Sequence, residues 1–267
     1  MHRRLIVRPG AIGDFILTLP AMESLKAEFT EVWAASQNLP LARFADRTRS
    51  IPSTGLDMLE FASSEKLRAE LRAFDSIISW YGTSRHEFRS AVRDLPFEFH
   101  QAVPPDDCRM HASDYFADQV DCPVPANPEI RCPRSDGGFA VIHPFSGSTK
   151  KNWPLDRYQE LARRLPLPVR WCAGPEEPLP GAVRIDDLYE FACWLATARL
   201  YIGNDSGITH LASAVGTPTI ALFGPTNPAI WAPRGHNVRV IVRSTLDEIA
   251  VSDVLAGALM LDSAACA

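Results

Sequence analysis

Short apolar runs alternate with stretches of helical spacing along this chain, and the series occurs twice. In the first series, residues 5–7, 32–35 and 76–80 read as strands, and the apolar spacing of Ile16, Leu17, Leu19, Met22 and Leu25 predicts a helix beginning at Asp14. Further helices are expected over 65–74, 85–94 and 111–120, with a proline-bearing loop over 96–108. In the second series the strands are 139–143, 169–172, 200–202, 219–223 and 238–242. The helices between them are 155–165, 188–198 and 209–215, with a closing helix over 246–261. The two series are separated by residues 122–138, which hold Pro123, Pro125, Pro128 and Pro133 and end in Asp136-Gly137-Gly138, the strongest linker signal in the chain. Near-continuous apolar strands alternating with helices predict parallel sheets covered on both faces. The expected architecture is α/β: two Rossmann-like domains, residues 1–130 and 131–267, with parallel sheets facing across a cleft. A length of 267 residues accommodates two small domains.

Composition narrows the partners. With 27 basic and 32 acidic residues the formal net charge is −5, which argues against a general nucleic-acid binder. The apolar start Leu5-Ile6-Val7 is broken at once by Arg8, Pro9 and Gly10, short of the roughly 7–15 apolar residues of a signal peptide. No run approaches the ~20 apolar residues of a membrane span, so a cytoplasmic location is expected. The six cysteines, Cys108, Cys122, Cys132, Cys172, Cys193 and Cys266, form no CxxC pair and no zinc-ligand spacing, and read as reduced thiols.

Ligands of open parallel sheets sit at the C-terminal ends of the strands, and three loops there carry chemistry. The first, Pro9-Gly10-Ala11-Ile12-Gly13-Asp14, has glycines that allow close backbone approach and an acidic residue at a helix start. Asp14 reads either as a cap or as a functional carboxylate. The loop is not GxGxxG, so support for a dinucleotide is lost. The second runs from His143 to Pro154 and includes Ser146, Gly147, Lys150 and Lys151. The chain has only four lysines, Lys26, Lys66, Lys150 and Lys151, and two of them fall here. A compact ammonium suits a phosphate, although a solvated basic turn is the plain alternative, and GxxxxGK[ST] is absent. The third is Gly203-Asn204-Asp205-Ser206-Gly207-Ile208-Thr209-His210, where a helix start offers N–H groups to an anion. Asp205 orders the turn or receives sugar hydroxyls, and His210 points to the ligand or packs inside. GxSxG is absent, so a serine-hydrolase elbow is not indicated.

Four segments together resemble glycosyltransferase family 9, the ADP-heptose:lipopolysaccharide heptosyltransferases and their relatives. They are Arg8 to Asp14 with Leu17-Thr18-Leu19-Pro20; Ile142-His143-Pro144 to Lys151-Asn152-Trp153-Pro154-Leu155; Gly203 to Gly207 with His210-Leu211-Ala212; and Gly216-Thr217-Pro218 to Phe223-Gly224-Pro225-Thr226-Asn227-Pro228. The resemblance implies a GT-B fold and an inverting, metal-independent transfer of a sugar, heptose from an ADP-linked donor, to a lipopolysaccharide-core or related glycan. It implies no cofactor beyond the nucleotide-sugar. Asp14 matches the family's catalytic base, with Gly13 beside it at the substrate. Lys151 matches the diphosphate-binding lysine, Ser146 and Gly147 the small residues against the phosphates, and Asp205, Ser206 and Gly207 the loop under diphosphate and sugar, with His210 following. Glu176 is placed at the nucleoside ribose, and Glu177 fits that place equally well. Arg3, Arg4 and Arg8 stand where an anionic acceptor would be met, Arg8 also reading as a structural residue. The acceptor chemistry implies peripheral contact with the cytoplasmic face of the inner membrane. The chain is shorter than is common in this family, and the shortfall is expected on the acceptor side. Two other readings fit the same loops: a nucleotide-sugar epimerase or hydrolase, and a non-catalytic nucleotide-sugar-binding module.

Overall fold

The structure, a computed structural model, describes residues 1–62, 64–135 and 137–264; Asp136 of the linker and Cys266 lie outside the described residues. The chain divides into two compact units, Met1–Cys108 with Ala112–Ala126, and Arg109–His111 with Asn127–Ala267.

The first unit is built on five strands: β1 (Arg3–Arg8), β2 (Phe29–Ala34), β3 (Arg47–Ser50), β4 (Ser76–Ser79) and β5 (Phe97–Phe99). Their order is β3-β2-β1-β4-β5 and every pairing is parallel. Leu5, Ile6 and Val7 are fully buried because β1 is central and covered on both faces. The core gathers Leu5, Val7, Trp33, Leu71, Ile77 and Phe88. Two strands depart from the sequence reading. β3 has the sequence RTRS and β5 falls inside the stretch read as loop. Both are edge strands, short or polar, and so lack the apolar run that marks a central strand.

The second unit holds β6 (Ala140–His143), β7 (Val169–Trp171), β8 (Leu200–Asn204), β9 (Thr219–Phe223) and β10 (Val238–Val242), all parallel, in the order β10-β9-β8-β6-β7. Its separate core includes Ile142, Trp153, Tyr158, Ile202, Leu222 and Val254. Counted within the unit this is the 2-1-3-4-5 order of flavodoxin-like sheets, whereas the first unit has the 3-2-1-4-5 order of Rossmann sheets. In such sheets the ligand crevice lies where the strand order reverses, between β1 and β4 in one unit and between β6 and β8 in the other.

Helix boundaries follow local chemistry. The first helix is Ile12–Ser24, so Asp14 lies inside its first turn and does not open it. Pro154 is the cap of helix Leu155–Arg164, one residue before its first turn. The closing segment is a 3-10 turn, Leu246–Glu248, followed by helix Val251–Ala264. From Asn127 on, the proline-rich stretch belongs to the second unit: Ile130 N–H donates to Ala214 O, Tyr189 Oη to Arg131 O, and Arg134 to Val215 O. Among the described residues, Cys108, Cys122, Cys132, Cys172 and Cys193 form no disulfide. Among the described residues no helix is long and apolar enough to cross a membrane.

Candidate active site

In the first unit the chain leaves β1 and turns into helix Ile12–Ser24 through Gly10, whose φ of 109° is left-handed territory. A Cβ on Gly10 would lie 3.1 Å from Asp14 Oδ2, so the turn needs glycine for both conformation and space. Ala11, at the N-cap position, has no side-chain acceptor. Asp14 instead reaches back and accepts the Ala11 N–H at 3.3 Å, one half of a capping box. The cap and carboxylate readings of Asp14 therefore describe one residue, since the capping bond fixes where the carboxylate stands.

The loop is braced from beneath. Arg8 is 1% exposed and donates to Thr18 Oγ1 at 2.8 Å, Pro9 O at 3.0 Å and Asp14 O at 3.2 Å. Its guanidinium lies over the Phe116 ring at 4.8 Å. Burial pushes its pKa down to about 10, with Asp14 acting in the opposite sense. Arg8 is thus a buried brace and no part of a basic surface. Asn38, also buried, donates to Gly10 O at 3.1 Å. Gly13 sits between Ile12 and Asp14 in the helix's first turn.

In the second unit the loop after β6 and the loop after β8 meet at the β6/β8 reversal. Asn204, fully buried at the end of β8, ties them together. Its Nδ2 donates to Pro144 O at 2.9 Å, and its Oδ1 accepts from Trp153 N–H and Tyr158 Oη, both at 3.0 Å. Ser146 Oγ lies 2.8 Å from both Ser148 O and Asn152 Oδ1, shaping the turn in which Gly147 is exposed. The 3-10 turn Thr149–Lys151 then brings Lys151 Nζ to Asp205 Oδ2 at 2.8 Å. Asp205 is held by its own N–H donating to Leu222 O.

Ser206 caps helix Gly207–Ala214, its side chain accepting from Thr209 N–H. The first-turn N–H groups of Gly207 and Ile208 have no intrahelical acceptor and carry the positive end of the helix dipole. His210 is buried one turn in, within electrostatic reach of Asp205 and Lys151. Burial pushes its pKa down to about 4; Asp205 opposes this, and His111 and Lys151 reinforce it. His111 belongs to the short segment that clusters with this unit, and its Nε2 lies 2.8 Å from Ala232 O.

The structure also separates the two glutamates that the sequence left equivalent. Glu176 is exposed. Glu177 turns in: its Oε2 lies 2.9 Å from His143 Nε2 and accepts the Gly174 N–H at 2.5 Å. Lys151, Asp205, Ser206, Gly207 and His210 are thus brought together, Ser146 and Gly147 lie in the adjoining loop, and Asp14 and Gly13 stand on the other unit. The roles of Asn204, His111 and Asn38 carried no sequence signal, because their partners lie far along the chain.

The family model described as glycosyltransferase family 9 (heptosyltransferase) matches residues 186–252, the stretch that carries β8, the capped helix and β9. Lipopolysaccharide heptosyltransferase 2 of Salmonella typhimurium is 40% identical over 317 residues, covering 89% of this chain and 87% of that protein. Lipopolysaccharide heptosyltransferase 1 of Pseudomonas aeruginosa is 24% identical over 297 residues, covering 88% and 82% respectively. The solved structure of the E. coli ADP-heptose lps heptosyltransferase II has the same fold, with a TM-score of 0.79 over 99% of this chain and 100% of that one at 17% identity. The architecture is that of a GT-B-like glycosyltransferase. The chain belongs to glycosyltransferase family 9, and it is a glycosyltransferase enzyme.

Proposed function

We propose that this enzyme moves a heptose from an ADP-linked donor to a lipopolysaccharide-core acceptor by a single, inverting, metal-independent displacement. The relatives named above support the sugar, the nucleotide and the acceptor. The observation that carries the donor assignment is the Lys151–Asp205 pair beside the free N–H groups of Gly207 and Ile208, at the reversal point of the second sheet. A cation and a helix N-terminus there suit a diphosphate.

In this reading Asp14 takes the proton of an acceptor hydroxyl. The hydroxyl oxygen forms a bond to the anomeric carbon while the bond from that carbon to the diphosphate breaks. Negative charge grows on the departing ADP, where Lys151 and the Gly207 and Ile208 N–H groups stabilise it. Asp205, relieved of Lys151 in part by the diphosphate, is left to receive sugar hydroxyls. Ser206 and Ser146 act by shaping their turns, since both hydroxyls are bonded within the loops. Glu177 is the acidic residue for the ribose. A cytoplasmic enzyme meeting its acceptor at the inner face of the inner membrane follows from this chemistry.

Calorimetric titration with ADP, UDP and GDP tests the donor site. Selective binding of ADP is expected, and Lys151→Ala is expected to weaken it by about tenfold or more, the scale of a charge-assisted hydrogen bond. Unchanged affinity in that variant would remove Lys151 from the site, and no binding of any of the three nucleotides would overturn the donor reading.

A further inference from the structure

His143 closes β6 and is 4% exposed. Its Nε2 lies 2.9 Å from Glu177 Oε2, while its Nδ1 is buried with no hydrogen-bond partner among the described residues. A hydrogen bond to a carboxylate requires the proton on Nε2, so Glu177 is the polar group that orients this ring among the described residues, and Phe145 makes a T-shaped ring contact with it. The carboxylate is used unevenly. Oε2 takes both the imidazole and the Gly174 N–H, and Oε1 has no protein donor among the described residues. Burial would push the Glu177 carboxyl up, but His143, the Gly174 N–H and Arg184 outweigh it and hold the group below its ordinary value. The side chain remains 27% exposed, so Oε1 is reachable from solvent.

We propose that His143 is the positioning residue that makes this enzyme select a ribonucleotide: it pins one oxygen of Glu177 so that the other accepts the ribose hydroxyls of the donor. This rests on the reading that Glu177 meets the ribose. A carboxylate with one oxygen fixed has lost its rotational freedom before the ligand arrives, and the discrimination resides in the vicinal hydroxyls, which can donate to Oε1 where a dideoxyribose cannot. His143 does not touch the nucleotide in this account. Its effect vanishes when the hydroxyls are absent.

The test compares ADP with 2′,3′-dideoxy-ADP by calorimetry on the full chain. The wild-type protein is expected to prefer ADP by about tenfold or more, the scale of a hydrogen bond to a charged group. Glu177→Gln is expected to abolish most of that preference. His143→Phe keeps a ring but has no donor, and is expected to lose the preference while binding the dideoxy nucleotide as the wild type does. His143→Gln retains an N–H donor and is expected to restore it. Preference retained in His143→Phe, or an equal loss for both nucleotides, would overturn the positioning role. If His143→Phe does not fold, loss of preference in a folded His143→Gln overturns it instead. Preference retained in Glu177→Gln would overturn the ribose reading itself, a result separate from the failure of His143.

Discussion

His210 is a histidine that folding keeps neutral. Its folded pKa of about 4 lies below the ordinary 6.5, mainly through burial. Between those values the unfolded chain binds a proton that the folded chain refuses, so stability rises with pH across the window and is lost as pH falls from about 6.5 toward 4. The loss from this one residue is on the order of 2 kcal/mol at pH 5. Burial lowers His100 as well, in the same sense. Thermal unfolding at pH 7 and pH 5 checks this: the wild type is expected to lose more than His210→Gln, and equal losses would contradict it. The sequence left His210 open between ligand and core because a one-turn offset from a loop fixes no direction. The same limit hid Asn204, whose bonds reach Pro144, Trp153 and Tyr158, 46 to 60 residues away.

At the scale of elements, the turn from β1 into helix Ile12–Ser24 shows how backbone and chemistry depend on each other. Gly10 takes the left-handed conformation, Asn38 and Arg8 hold the loop carbonyls, and Asp14 closes on Ala11. Gly10→Ala adds backbone strain and a methyl against Asp14 Oδ2. It is expected to cost about 1–2 kcal/mol of stability and to lower turnover at least tenfold, with ADP affinity unchanged. A thermal scan with steady-state kinetics checks it, and unaltered turnover would show that the turn does not position the carboxylate. The glycines and the strand–turn–helix pattern were legible here because they are local. Arg8 was open between an acceptor contact and a structural role, and its burial against Thr18 and Phe116 favours the structural one.

For the whole molecule, the repeated alternation of strand and helix was enough to read two parallel sheets, each now seen with its own core. What it missed were β3 and β5, edge strands whose polarity or brevity removes the apolar signal. The pattern also could not distinguish the strand orders of the two units, because order depends on which edge each crossover returns to. Those orders bear on function, since the reversal point within each unit fixes which loops stand there: the Asp14 turn at β1 in the first unit, and the Lys151 and Ser206 loops at β6 and β8 in the second. The most direct measurement incubates the enzyme with ADP-heptose, with and without a heptose-deficient lipopolysaccharide core, and follows ADP release and acceptor mass. The expected result is acceptor-dependent ADP release with one heptose added, nearly abolished in Asp14→Asn while that variant still binds ADP. Turnover of the donor without acceptor, or near-wild-type transfer by Asp14→Asn, would contradict the account.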